Sequence, residues 1–362
     1  MVENLKKASQ LYELEENVYK RFAEHNHCIY RSLYDPQFQH YHKTLRTGMT
    51  RLVDSGKKGY SRVDLALAAA SWTVNKHMPF AYEKRPTHSP QDYIPLEIKE
   101  RAPNITSAEK LSLYVKRAAK FFGASLVGIT ELDKRWLYKT QVQLYSTSIE
   151  QKQEQEFPEI NLDGDITNAI VMIVEMDPSG INCAPTFLEF ASAGLGYSKM
   201  SVLIASMAQF IRNLGYKALP CANDTALSVP LAIDAGLGAL GRIGVLITKK
   251  FGPRIRICKV LTNMPLRQDA PDIDFIEKVN QKCRNCRKCA EACEYGAIDN
   301  EKEPSYAIKS TSNNAGVKKW YVDVEKCYQG WVEYSSDCAL CVKACPYSNI
   351  SSNVTPEDFW NG

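Results

Sequence analysis

Behind Ser107, apolar residues between Lys110 and Phe122 recur at helical spacing; Gly123 stops the run, and SLVGIT then alternates as a strand does. NAIVMIVEM is a continuous apolar run, the pattern of a strand buried on both faces. From Ser198, SKMSVLIASMAQFIRNLGY predicts a second helix with an apolar face at Val202, Ala205, Met207, Phe210, Ile211 and Leu214, and Gly215 as its stop. YKALP returns as a strand, and a glycine-rich stretch (Gly236, Gly238, Gly241, Gly244) leads into a further strand, GVLIT. This alternation predicts an α/β or α+β domain over about 106–270. The glycine stretch fits a nucleotide-binding loop and a tight packing turn about equally, because no clean acidic residue follows at the expected distance.

Composition changes this picture little. The chain of 362 residues has room for two or three domains or for one large core with an appended module, and its 44% hydrophobic and 24% charged residues are those of an ordinary globular protein. A net charge of +4 is small for this length and predicts no nucleic-acid partner. No apolar run approaches the ~18 residues of a membrane span. The N-terminal MVENLKKASQLYELEENVYKRF is charged throughout and lacks the apolar core of a signal peptide. Both a cytoplasmic protein and one whose leader has been removed fit that beginning.

Sulfur changes the picture. Cys283, Cys286, Cys289 and Cys293 form C-x2-C-x2-C-x3-C, the ferredoxin run whose first three thiolates hold one [4Fe–4S] cube while the fourth reaches another. A second group, Cys338, Cys341 and Cys345 followed by Pro346, has its remaining member displaced upstream to Cys327. Exchange of the fourth ligands predicts one cluster on Cys283, Cys286, Cys289 and Cys345 and another on Cys293, Cys327, Cys338 and Cys341. Zinc has no use for a triple run of this kind, and disulfides across such short loops would be strained. All six histidines lie at or before His88, so no imidazole ligates a metal in the later three quarters of the chain. Glu294 stands where the first motif usually has proline. The scattered Cys28, Cys183, Cys221 and Cys258 read as small core residues. Two low-potential clusters move electrons singly, so the residues before about 271 should hold the electron acceptor.

The order of GLGYSKM, of ALPCANDTALSVPLAIDAGLGALGRIGVLITKKFGPRIRICKVLTNMPL and of the paired cysteine motifs resembles the corrinoid-dependent reductive dehalogenases. GYSRVDLALAAASWTV, nearer the N-terminus, is similar to respiratory members of that family. The resemblance implies an α+β fold: an N-terminal extension (1–105) packing on a nitroreductase-like cobalamin-binding domain (106–270), closed by a C-terminal ferredoxin-like two-[4Fe–4S] domain (271–362). The corrinoid would be bound base-off, its cobalt unliganded by protein. By motif, Tyr197 matches the proton donor, Arg256 the cation beside it and Asn223 a polar neighbour of the substrate's halogen. A phenol with its ordinary pKa near ~10 is a poor acid at neutral pH, and a neighbouring guanidinium favours phenolate and aids departure of the halide. Thr225, Ser228, Gly236, Gly238 and Gly241 are expected to cradle the corrinoid's nucleotide tail, and Trp72 and Trp331 to wall the substrate pocket.

The activity so implied is cleavage of a carbon–halogen bond with two electrons and one proton. A small organohalide is the expected substrate and a low-potential carrier the electron donor. The resemblance also implies a place at the outer face of the cytoplasmic membrane, beside a small membrane-anchor protein, and is compatible with a homodimer. Three other functions share these motifs: an epoxyqueuosine reductase acting on tRNA, a reductase of another non-halogenated substrate, and an electron carrier without catalysis. The tRNA enzyme would carry a basic extension past the clusters, whereas the seventeen residues after Cys345 end in SSNVTPEDFWNG, which is acidic.

Overall fold

A computed structural model describes residues 6–77, 107–142, 157–350 and 354–361, without the side chains of 39–46. Among the described residues there are six strands: β1 (Leu126–Glu131), β2 (Asn168–Glu175), β3 (Ala218–Cys221), β4 (Ala239–Leu240), β5 (Leu246–Ile247) and β6 (Ile255–Thr262). Four of them form one sheet in the order β1-β2-β6-β3, while β4 and β5 make a separate ribbon. Every pairing is antiparallel, with Gly128 opposite Val171 and Met172 opposite Cys258. A dinucleotide loop of the parallel βαβ kind is thereby excluded for the glycine stretch, and GVLIT is reduced to the two residues of β5.

Strand β2 shows why its sequence is apolar throughout. Ala169, Val171 and Ile173 enter one core with helix Ser228–Asp234, and Ile170, Met172 and Val174 enter a second core on the other face. Helices Ala108–Phe121 and Phe187–Asn213 close that second core. The first of these helices has the expected Ser107 cap.

The second helix corrects the sequence reading in two ways. It starts eleven residues earlier, at Phe187 rather than Ser198, with Thr186 accepting a hydrogen bond from the Leu188 amide. Its buried stripe runs through Met200, Leu203, Ile204, Met207, Ala208 and Ile211, leaving Val202 46% exposed. Gly194 and Gly196 hid the true start, since glycine disfavours helix interiors. Both serve close approach: a Cβ on Gly194 would lie 2.5 Å from Trp72 Cδ1, and one on Gly196 would lie 3.0 Å from Arg256 Cγ.

The C-terminal part is built on helices Ile273–Asn285, Lys288–Glu291, Val324–Tyr334 and Leu340–Ala344. N-terminal segments brace both parts. Helix Gln39–Asp54 packs on Val324–Tyr334, and Arg62–Ser71 packs on Phe187–Asn213. Arg31 bridges Asp35 at 2.8 Å and Glu325 at 2.5 Å. The expected boundary at 105/106 lies outside the described residues. Among the described residues, no helix is long and apolar enough to cross a membrane.

Candidate active site

A cavity of about 330 Å³ opens where β6, helix Phe187–Asn213 and the cysteine-bearing segments meet. Tyr197, Asn223 and Arg256 line it together with Cys293, Cys327, Cys338 and Cys341. The Asn223 side-chain amide donates to Tyr197 Oη at 2.7 Å. Because that oxygen accepts from Asn223, its own proton is left for another partner. The Arg256 guanidinium carbon lies 4.7 Å from the Tyr197 ring centroid. Trp72 stacks on the same ring at 5.0 Å and 24°. Trp72 thus supports the phenol and is not among the residues lining the cavity, whereas Trp331 is.

Arg256 also contacts Asp337, Nη2 to Oδ2 at 3.4 Å. Glu189 is fully buried beside them, with neither carboxylate oxygen hydrogen-bonded. Burial, reinforced by the Asp337 charge, pushes the Glu189 carboxyl well above the usual range. Asp337 is raised by burial and held back by Arg256. Burial thus favours the proton on Glu189, while Asp337 is the carboxylate in contact with Arg256. The other arginine of GPRIRI, Arg254, holds Ser348 O, Met176 O and Glu175 and is a structural tie.

A second cavity, of about 500 Å³, shares Asn223, Ser228, Val229 and Val245 with the first. Ser228 Oγ accepts from the buried Lys259 ammonium at 3.1 Å, leaving the serine proton free to donate. The other members of the expected tail cradle do not reach either cavity. Thr225 is buried against Asp224. The space a Cβ would occupy is filled by Ala270 O at Gly236, Ile247 O at Gly238 and the Ile247 side chain at Gly241. These glycines make a packing turn, and only Gly244 of the stretch reaches the second cavity.

Glu24 lines this second cavity, and burial raises its carboxyl to about 7. An unfolded glutamate titrates near 4.5, so the fold carries an excess proton between those values. Stability is expected to fall by about 2–3 kcal/mol as pH rises from ~4.5 through ~7. Glu24→Gln should flatten that slope in thermal melts, and an unaltered slope would assign the effect elsewhere.

All twelve cysteines are unpaired, which removes the disulfide alternative, and Cys28, Cys183, Cys221 and Cys258 are buried. Cys283, Cys286, Cys289 and Cys345 surround a small void of about 20 Å³, separate from the cavity that the other four line. Among the described residues, no three Cys, His, Asp or Glu side chains converge as they would on a lone metal ion. Eight thiols in two groups, without histidine, form the donor set of two iron–sulfur cubes. Glu294, in the place of the usual proline, accepts from Tyr334 Oη at 2.6 Å.

Residues 282–349 match the 4Fe-4S dicluster domain family. The chain is 35% identical over 275 residues to a tetrachloroethene reductive dehalogenase of Desulfitobacterium hafniense, covering 68% of this chain and 49% of that protein. With its counterpart from Sulfurospirillum multivorans it shares 33% over 315 residues, covering 80% and 62%. The chain belongs to the reductive dehalogenase family. It spans about half to three fifths of the length of these relatives. The solved structure of a variant of the catabolic reductive dehalogenase NpRdhA shares the family fold: TM-score 0.68, 19% identity, covering 96% of this chain and 44% of that one.

The sequence alone did not make every residue of the site visible. Glu189, Asp337, Lys259 and Glu24 were all missed. Lys259 had a signal, being the only charge in the otherwise apolar core of ICKVL, and Asp337 stands directly before Cys338.

Proposed function

We propose that this chain carries the catalytic part of a corrinoid-dependent reductive dehalogenase that replaces a halogen of a small organohalide with hydrogen. The observation that carries the reading is one cavity shared by the Tyr197–Asn223–Arg256 group and four cysteines of the dicluster segment. Cobalamin, when bound, supplies the low-valent cobalt that breaks the carbon–halogen bond, and the [4Fe–4S] clusters resupply its electrons. The two joined cavities suit that cofactor: one has largely aliphatic walls beside the cysteines, and the other is lined by polar side chains and tyrosines. Ser228 offers its free hydroxyl proton where they meet.

The protein's own contribution is a proton. Asn223 fixes the phenol oxygen, and Tyr197 delivers its hydrogen to the carbon that loses the halide. Arg256, over the ring, favours the phenolate that remains, and Asp337 holds Arg256 there. Trp331 and the aliphatic wall keep bulk water from competing as the acid. A low-potential electron donor would deliver electrons to the clusters. A small membrane anchor, a site at the outer face of the cytoplasmic membrane and a second copy of the chain belong to the same reading.

The test is anaerobic purification after expression with cobalamin, followed by cobalt and iron analysis. About one cobalt and eight iron per chain are expected, with halide released from tetrachloroethene under reduced viologen. Eight iron without cobalt would replace this reading by a pure electron carrier. In the same preparation Cys293→Ala should reduce iron to about four per chain. The surviving electron paramagnetic resonance signal should be that of the cluster on Cys283, Cys286, Cys289 and Cys345. Loss of that cluster instead would refute the ligand exchange.

A further inference from the structure

Lys319 is a half-buried cation for which the described residues supply no anion. Its backbone is fixed by reciprocal hydrogen bonds with Ser305, N to O at 3.1 Å and 3.0 Å. Its ammonium lies 4.7 Å from the ring centroid of Tyr321. That ring is fully buried, and its hydroxyl is engaged by Asn314 O and Val317 O. The neighbouring Lys318 pairs with Glu13 at 2.9 Å, whereas among the described residues no carboxylate lies within ion-pair distance of Lys319. Burial lowers its pKa to about 8, so the amine stays mostly charged at neutral pH.

A desolvated charge is costly unless something compensates it, and one ring face compensates only in part. The second cavity supplies the room, since Lys319 lines it. Other donors there also lack acceptors. The buried Asn314 amide nitrogen approaches the Tyr19 hydroxyl without a well-formed hydrogen bond, and Ser228 has a proton to give. The cavity's acid, Glu24, has its carboxylate engaged by the Val142 amide. What completes this set is an anion with several acceptor oxygens, attached to a body that passes Ser228 into the cavity of Tyr197.

We propose that Lys319 seats the phosphodiester of the corrinoid's nucleotide tail, with Asn314 as a second donor. The proposal rests on the corrinoid reading above and replaces the glycine stretch as the phosphate-binding element. The ammonium would exchange a partial contact with Tyr321 for a charge-assisted hydrogen bond. The tail's base would then lie among the tyrosines of the same cavity, Tyr30 and Tyr138 included.

The experiment compares two corrinoids on the full chain loaded with its clusters: cobalamin, and cobinamide, which lacks the phosphate, ribose and base. Binding is followed by the corrinoid absorption spectrum and by retention through gel filtration, with iron content as the check on folding. Lys319→Met should weaken cobalamin binding about 10–100-fold and leave cobinamide binding unchanged, and Lys319→Arg should restore part of the loss. Equal weakening of both corrinoids, or no weakening of either, overturns the proposal. Wild-type protein that binds neither corrinoid overturns the corrinoid reading itself, and the phosphate seat with it.

Discussion

Replacing Tyr197 by phenylalanine is expected to lower dechlorination by about 10²–10⁴-fold, the usual contribution of a positioned general acid, with cobalt and iron content unchanged. The substitution is selective because the ring does most of the structural work. Phenylalanine keeps the stack on Trp72 and the contact with Arg256, both of which are made by the ring face. Only the hydroxyl is lost, and with it the acceptor of Asn223, at a cost of about 1 kcal/mol. Halide release under reduced viologen, measured beside corrinoid absorbance, separates the outcomes. Wild-type turnover in the variant would mean that another group supplies the proton. Loss of corrinoid in parallel with activity would make the phenol a binding group and not an acid.

Arg242→Met is expected to cost more than any other substitution outside the cysteines. Arg242 is 1% exposed and among the described residues has no carboxylate partner. It donates through Nε and Nη2 to Cys283 O, at 3.2 and 2.5 Å, and through Nη1 to Asp299 O at 2.8 Å and Glu301 O at 2.5 Å. Its guanidinium carbon lies 4.7 Å from the Trp320 ring centroid. Methionine can fill the stem, but it takes the side-chain donor from Cys283 O and Asp299 O, at about 1–3 kcal/mol each, while Glu301 O keeps the Trp320 Nε1 donor at 3.0 Å. One of them belongs to Cys283, so the loop that presents the first sulfur loses its anchor. Iron should fall to about four per chain or below, and soluble yield should drop. A soluble variant with full iron and an unchanged melting temperature would show that the loop is held by its cluster alone. Arg242→Lys, which can reach one or two of the carbonyls, should lie between.

Much of this was legible in the sequence, for physical reasons that differ between elements. The cysteine spacing survives because thiolates must reach a cube from a short loop, so few arrangements are possible. Strand β2 was legible because both of its faces are buried and every position must be apolar. The start of helix Phe187–Asn213 was not, because its glycines answer to Trp72 and Arg256, which are distant in sequence. The glycine stretch misled for a related reason. A glycine needed for a neighbouring carbonyl looks the same in sequence as one needed for a phosphate, and only the space around it distinguishes them. Glu189 and Lys319 were invisible because what marks each of them is its surroundings in the fold, which the neighbouring sequence does not show.

The interleaving of the two cysteine groups has a consequence for how the protein is made. Cys283 and Cys345 border one void, and Cys293 and Cys327 border the other cavity, so each proposed cluster draws on both ends of the segment. A nascent chain that has emerged as far as Cys293 holds three ligands for one cube and one for the other. Neither set closes until Cys341 and Cys345 have left the ribosome. On the proposed ligand exchange, iron loading joins distant stretches of chain and waits for Cys341 and Cys345, and a ribosome that stops short of Cys341 yields a product that can complete neither cube.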